Sequence, residues 1–147
     1  MNISDILKAT DVLILDKTTS KLEVLQVLTE HAAKTSKVDA RALLDVVLER
    51  ENLGNTAFGK GVALPHGRIP ALKQTQALFA KINGGVDFDA VDGKKVDLVF
   101  MLLSPENSGA DHLTALSAIS GIVKNDAACA KLRKATNPTD IYKILVK

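Results

Sequence analysis

The sequence is poor in aromatic residues and contains no cluster of basic residues. Aromatic side chains make up 3% of the chain, and tryptophan is absent. A protein that binds single-stranded nucleic acid uses aromatic side chains as stacking platforms, so the composition argues against that class. The formal net charge of +2 is spread along the chain. We therefore expect no nucleic-acid partner.

Cysteine and long hydrophobic runs are also scarce. The single cysteine, Cys129, cannot form an internal disulfide, and we expect it to be a small buried hydrophobic residue. The longest apolar run, LVFMLL, is too short to cross a bilayer. The start, MNISDILK, lacks the basic and apolar segments of a signal peptide. These features predict a soluble, cytoplasmic protein that does not insert into a membrane.

The remaining composition favours one folded α/β domain over residues 1–147. The chain is 46% hydrophobic and 24% charged, which is typical of soluble globular domains. Short apolar runs predict strands in DVLIL, GVALP, QALFAKI and VDLVFMLL. Helical periodicity follows the first of these runs and returns after the last. Helices should therefore pack around a central sheet.

Capping residues and periodicity locate the helices. Ser20 and Glu23 have capping-box spacing, and Asp39 is the expected cap of the next helix. The predicted inner faces are Leu22, Leu25, Leu28 and Ala32 in the first helix, Leu43, Val46 and Val47 in the second, and Leu113, Leu116, Ile119, Ile122 and Val123 near the end. Further helical segments, AACAKLRKA and NPTDIYKILV, complete the chain.

The segment GKGVALPHGR holds the first candidate site residue, His66, between a proline and a glycine. We expect its imidazole at the end of a strand, where α/β sheets usually carry their sites. Gly67 would let a partner approach closely, and Arg68 offers a planar cation for an anion. Imidazole titrates near pH ~6.5, so its neutral form can act as a nitrogen nucleophile in phosphoryl transfer. The local pattern also fits a histidine that caps a turn.

The other two histidines differ in their settings. His112 precedes a helical run and follows a loop containing glycine and serine, so its ring can lie beside helix N–H groups that favour anions. A simple loop or capping role fits it as well. His31 lies inside the first helix, between Glu30 and Ala32, and we expect it to be structural.

Several other site motifs do not fit the sequence. In DFDAVDG the third acidic residue is one position late for a calcium loop. GKG lacks the rest of a phosphate-binding P-loop, no G-x-S-x-G elbow occurs, and the histidines and cysteine lack zinc-site spacing. A phosphohydrolase or a small-molecule phosphotransferase would suit the histidines and arginine, but neither a substrate-pocket motif nor a metal-binding cluster accompanies them. We expect no metal and no cofactor.

Joined sequence blocks carry a family resemblance. LERENLGNTAFGKGVALPHGR, residues 48–68, resembles the active-site signature of the enzyme IIA components of the bacterial phosphoenolpyruvate-dependent phosphotransferase system, of the fructose and mannitol type. DFDAVDGKKVDLVFMLLSPE followed by HLTALSAIS is similar to the second block of that family, and LRKATNPTDIYKIL resembles its ending. The resemblance implies a single α/β domain with a mixed central β-sheet flanked by helices on both faces.

The resemblance also implies roles for individual residues. His66 would accept a phosphoryl group on Nε2 from the small phosphocarrier protein HPr or a paralogue of it. His112 would stabilise the phosphoryl group, and Arg50 would be the cation on the phosphate side. Three further residues of the motif are expected to support the site: Thr56, Gly67 and Arg68.

Two branches of the family fit these residues. PHGR and DFDAVDGKKVDLVF are most similar to the nitrogen-regulatory enzyme IIA branch, whose members signal their phosphorylation state to other proteins. That branch suggests regulators of potassium transport or nitrogen metabolism as targets. A sugar-specific enzyme IIA that passes phosphate to a separate permease subunit is the alternative. An alternative of another class is a non-catalytic binding module.

Overall fold

A six-stranded mixed sheet forms the centre of the computed structural model, which describes residues 2–147. The strands are β1 (Leu7–Leu15), β2 (Ala57–Gly59), β3 (Val62–Ala63), β4 (His66–Ile69), β5 (Gln76–Val86) and β6 (Val96–Pro105). The helices are α1 (Lys21–Ser36), α2 (Ala40–Leu53), α3 (Ala110–Val123), α4 (Asp126–Lys134) and α5 (Pro138–Val146), and Ile3–Asp5 forms a 3-10 turn.

The strand order is β1-β5-β6-β3-β2, and β4 also pairs with β6. β5 pairs antiparallel with β6 and parallel with β1, while β3 and β4 both run parallel to β6. The sheet is therefore mixed, as predicted.

Alternate residues of β6 face opposite sides of the sheet and separate two hydrophobic cores. Val99, Met101 and Leu103 pack in the core that α1 and α2 cover. Leu98, Phe100 and Leu102 pack in the core that α3, α4 and α5 cover. Because side chains alternate between the faces of a strand, β6, which is buried over residues 98–104, supplies both cores. The predicted arrangement of helices on both faces is confirmed.

Side-chain caps fix the starts of the helices before the site. Ser20 Oγ accepts a hydrogen bond from Glu23 N at 3.1 Å, and Asp39 accepts one from Ala42 N at 3.3 Å, so both predicted caps are confirmed. The Glu23 carboxylate accepts from Thr19 N at 3.1 Å, one residue before the position of an ideal capping box. These bonds satisfy helix N–H groups that have no partner inside the helix.

The predicted inner faces were wrong at two exposed leucines. Leu22 is 46% exposed in the first turn of α1, and Leu113 is 64% exposed in the first turn of α3. Successive helical residues differ by about 100° in direction, so the burial of His112 turns Leu113 outward. In α2, Leu44 is buried and Val46 only partly so, which differs slightly from the expected face.

His66 begins a strand, which corrects the prediction that it ends one. β3 contains only Val62–Ala63, and β4 then continues along the same edge of β6, with His66 opposite Leu102. The two intervening residues form a step in this edge, and Pro65 O accepts from Leu102 N at 3.0 Å. Proline has no N–H to contribute to a sheet, so the interruption falls at Pro65.

Two minor predictions agree with the structure. Cys129 is buried, and its thiol donates to Val123 O at 3.2 Å. His31 joins α1 to β1, since its Nε2 lies 2.7 Å from Thr10 O and 3.2 Å from Asp11 Oδ1. Within residues 2–147, no helix has the length and apolar character needed to cross a bilayer.

Candidate functional site

His66 is half-buried at the step between β3 and β4, and its ring is held by the backbone just before it. Nδ1 lies 2.9 Å from Leu64 O. A carbonyl oxygen can only accept, so Nδ1 carries the hydrogen and donates it. In the neutral ring the lone pair then lies on Nε2. The local geometry therefore prepares Nε2 to act as a nucleophile.

The surroundings of His66 keep its ring neutral. Burial is the main cause that lowers the pKa of His66 below its ordinary value of 6.5. The hydrogen bond to Leu64 O partly opposes this shift, whereas the positive charge of Arg50 adds to the lowering of the pKa. A neutral imidazole retains the lone pair that nucleophilic attack requires.

His112 lies beside His66, although the two residues come from different elements. Their ring centroids are 5.7 Å apart, with the ring planes inclined by 45°. His112 is buried in the first turn of α3, and its Nδ1 lies 2.7 Å from the hydroxyl of Ser104, at the end of β6. Burial, followed by the charges of Arg68 and His66, lowers the pKa of His112 from 6.5 to about 4.

Two arginines place positive charge near the histidine pair. Arg50, in the last turn of α2, donates from Nη1 to Gly54 O at 2.8 Å. Arg68, on β4, donates to Ser108 Oγ at 3.1 Å and to Gly109 O at 3.2 Å. Each guanidinium lowers the pKa of one of the two histidines, Arg50 that of His66 and Arg68 that of His112. Two neutral rings, each near one hydrogen-bonded guanidinium group, suit a bound anionic group.

Thr56 is joined to the segment that carries Arg50 through Glu51, which also contacts Lys21, and the sequence analysis singled out neither Glu51 nor Lys21. Its hydroxyl and its N–H both donate to the carboxylate of Glu51, the N–H at 3.4 Å. Glu51 is itself buried and lies 2.7 Å from Lys21 Nζ. The carboxylate thus joins the start of α1, the end of α2 and the loop before β2. Its position directly after Arg50 in the ERE segment was the available signal.

Packing of α2 against β4 requires a glycine at position 67. A Cβ at this position would lie 2.9 Å from Val46 Cγ1. The missing side chain lets α2 lie close against β4, and this contact carries the end of α2 towards His66. Gly67 therefore contributes to the placement of α2, the helix that carries Arg50.

Ser104 was also missed, because a serine at the end of an apolar strand has no distinctive sequence pattern. It lies opposite Arg68 in the pairing of β4 with β6 and is fully buried. Among residues 2–147, no group of three or more histidine, cysteine or acidic side chains could hold a metal ion. The candidate site consists of imidazole, guanidinium and hydroxyl groups, which can form hydrogen bonds to an anionic group.

Comparison with known proteins agrees with this chemistry. The model of the family "Phosphoenolpyruvate-dependent sugar phosphotransferase system, EIIA 2" matches residues 5–147, so the chain belongs to this family. The protein is thus a phosphoryl-transfer component of the phosphotransferase system. The family predicted from the sequence is confirmed.

Individual relatives point to one branch. The chain is 42% identical over 145 residues to a nitrogen regulatory protein of Bradyrhizobium diazoefficiens, covering 99% of this chain and 95% of that protein. It is 35% identical over 129 residues to a fructose-specific EIIA component of Haloferax volcanii, covering 87% and 84% of the two chains. The crystal structure of nitrogen regulatory protein IIA-Ntr from Neisseria meningitidis superposes with a TM-score of 0.90 at 33% identity, covering 97% and 98%. The predicted resemblance to nitrogen-regulatory members is confirmed.

Proposed function

We propose that this protein is a phosphoryl carrier and regulatory protein that accepts a phosphoryl group on Nε2 of His66 from an HPr-like phosphocarrier. The observation that carries the proposal is the bond between His66 Nδ1 and Leu64 O, beside the ring of His112. This bond leaves Nε2 as the nucleophilic nitrogen. We further propose that residues 1–147 act as one cytoplasmic enzyme IIA domain that needs no cofactor.

The transfer step follows from this arrangement. The Nε2 lone pair of His66 attacks phosphorus, and the bond from phosphorus to the donor breaks with its electron pair remaining on the donor. The proton on Nδ1 stays in place, so the phosphorylated ring becomes positively charged, and Leu64 O stabilises that charge. No general base is needed, because the attacking nitrogen carries no proton. The protein contributes position and charge, as phosphoryl transfer requires.

The neighbouring groups would then act on the phosphoryl oxygens. Arg50 supplies a cation on the α2 side, and His112 supplies a ring N–H from the α3 side. Arg68 orders the loop before α3 through Ser108 and Gly109. Thr56 and Gly67 support the site by fixing the loop and the helix that carry these groups.

The regulatory branch is favoured by the nitrogen regulatory relatives, which match nearly the whole chain. In this proposal the phosphorylation state of His66 controls binding to regulatory targets, such as regulators of potassium transport or nitrogen metabolism. A phosphoryl group adds about two negative charges to the surface at neutral pH, which is sufficient to change partner choice. The exposed Leu53 and Leu113, next to this site in sequence, offer an apolar surface to such a partner.

A second candidate function is that of a sugar-specific enzyme IIA, and the fructose-specific relative favours it. Such a protein would pass the group from His66 to a separate permease subunit. The two functions differ in the fate of the phosphoryl group. A non-catalytic binding module would never acquire it.

Mass measurement of the intact protein tests the proposal. The protein is incubated with phosphoenolpyruvate, enzyme I and an HPr-type carrier, and its mass is read with and without brief acid treatment. We expect an acid-labile phosphoryl adduct in the native protein and in His31→Ala, and none in His66→Ala. His31→Ala is the matched control because it removes a histidine outside the site. Absence of the adduct on the native protein, with the donor proven on a second acceptor, would leave only the binding module.

Whether the phosphoryl group is passed on distinguishes the regulatory branch from the sugar-specific branch. The phosphorylated protein is mixed with a fructose-type permease subunit, and transfer is followed by loss of the adduct. Rapid transfer would favour the sugar-specific function. Retention of the adduct, together with target binding that differs between the two phosphorylation states, would favour the regulatory one.

A further inference from the structure

We propose that Ser104 is a positioning residue that sets the tautomer of His112. In this arrangement the Ser104 hydroxyl donates to Nδ1 of His112, and the ring proton therefore lies on Nε2. Nε2 is then a hydrogen-bond donor for a phosphoryl group on His66. The inference deepens the proposed function and rests on it for this last step only.

The hydrogen bond between the two residues could run in either direction by distance alone. Ser104 Oγ lies 2.7 Å from His112 Nδ1, and both side chains are buried. If Nδ1 donated the proton, the serine hydroxyl would accept and would need another partner for its own hydrogen. Within residues 2–147, Ser104 Oγ has no other hydrogen-bond partner. Buried hydroxyl hydrogens are rarely left without an acceptor, so donation from Ser104 to Nδ1 satisfies both groups.

The tautomer matters because His112 has only one ring proton at neutral pH. Burial and the positive charge of Arg68 keep this ring neutral, with its pKa lowered to about 4. A neutral ring with its proton on Nδ1 would turn the Nε2 lone pair towards the site and repel phosphoryl oxygens. With the proton on Nε2 the same nitrogen attracts them. One buried hydroxyl therefore decides whether His112 assists or opposes the phosphoryl group.

The position of Ser104 makes it suited to this task. It is the second-last residue of β6, and in the strand pairing it lies opposite Arg68, two residues after His66. Thus β4, which carries His66, pairs with β6, which carries Ser104, the hydrogen-bond partner of His112. The ring centroids of His66 and His112 are 5.7 Å apart. The position of the proton on the His112 ring therefore acts directly on a phosphoryl group bound to His66.

Nitrogen-15 NMR of the unphosphorylated protein at pH 7 tests the inference directly. Long-range ring couplings assign the proton to Nδ1 or Nε2 in native protein, Ser104→Ala, Ser104→Thr and Thr114→Ala. We expect the Nε2–H form of His112 in the native protein, and a gain of the Nδ1–H form with a shifted Nδ1 resonance in Ser104→Ala. Ser104→Thr retains a hydroxyl and should restore the native signals. Thr114→Ala removes an exposed hydroxyl from the helix that carries His112 and should leave them unchanged.

A second measurement connects the tautomer to the phosphoryl group. Loss of the acid-labile adduct with time should be about tenfold faster in Ser104→Ala than in native protein, because one bond to a charged group is weakened. Circular dichroism and thermal unfolding identify variants that fail to fold. The NMR assignment of the tautomer in native protein does not depend on those variants. The Nδ1–H form in native protein, or identical His112 signals in native protein and Ser104→Ala, would overturn the inference.

The two proposals fail in different ways. If the native protein acquires no adduct but His112 carries its proton on Nε2 through Ser104, the carrier function is wrong and the tautomer assignment holds. If the adduct forms and His112 has the Nδ1–H form, the carrier function holds and the role of Ser104 is wrong.

Discussion

The region around His31 and the region around His66 and His112 use the same side chain beside neighbours of different charge. His31 Nε2 lies near a backbone carbonyl and the carboxylate of Asp11. His66 also contacts a backbone carbonyl, but it and His112 lie near guanidinium groups, and burial together with these charges lowers the pKa of each ring. A carboxylate beside an imidazole suits a ring that ties α1 to β1. Cations near a neutral imidazole suit a ring that receives an anion, so the neighbouring charges separate the structural histidine from the candidate site.

The largest expected effect comes from removing a cation from the site region. Arg50→Ala should slow formation of the phosphoryl adduct about a hundredfold, because one preorganised charge on the transferring group is lost. Adduct formation is followed by mass at fixed carrier concentration. Arg41→Ala is the matched control, since Arg41 lies on the same helix in an exposed pair with Asp45. Equal slowing by both variants would contradict a specific role for Arg50.

We expect the buried carboxylate of Glu51 to stabilise the fold rather than to bind a ligand. Glu51→Gln should lower the free energy of unfolding by about 2 kcal/mol, because it leaves Lys21 and Thr56 with a weaker buried partner. Urea unfolding measures the change, and exposed Glu49→Gln on the same helix is the control. An effect no larger than that of the control would show that the buried network does not stabilise the fold.

The close contact of α2 with β4 gives a prediction about backbone placement. Gly67→Ala should destabilise the protein by about 1–2 kcal/mol, because the new Cβ collides with Val46 Cγ1. Removing the collision with Val46→Ala should make the double variant more stable than the sum of the single changes predicts. Urea unfolding of the four proteins completes the cycle. If the two changes in the free energy of unfolding were additive, the destabilisation by Gly67→Ala would not come from the contact with Val46.

The stability of the protein should also depend on pH through His112. The folded pKa of His112 is about 4, below its ordinary value of 6.5, so between these values the unfolded chain binds the proton and the folded protein does not. Stability is therefore full above pH 6.5 and falls as the pH drops towards 4. His112→Gln should reduce this slope relative to native protein in urea unfolding at several pH values. An unchanged slope would mean that other groups cause it.

The sequence predicted most of the scaffold because its signals are local. Ser20 and Asp39 cap their helices as expected, and the apolar runs form strands. Local signals could not predict how a helix turns about its own axis, which depends on the neighbouring sheet, and Leu113 was misassigned for that reason. Glu51 and Ser104 were missed because their importance comes from burial against residues distant in the chain. The resemblance to the family supplied the roles that local patterns left open.

The parallel pairing of β4 with β6 has a consequence for folding. His66 reaches His112 only when β4 has paired in parallel with β6, and the whole of β5 lies between those strands in the chain. Contacts between distant segments form slowly, because the intervening chain must first be ordered. A partly folded chain with intact helices would therefore hold the two histidines apart. If His66 accepts a phosphoryl group as proposed, the protein gains this activity only after its native strand topology has formed.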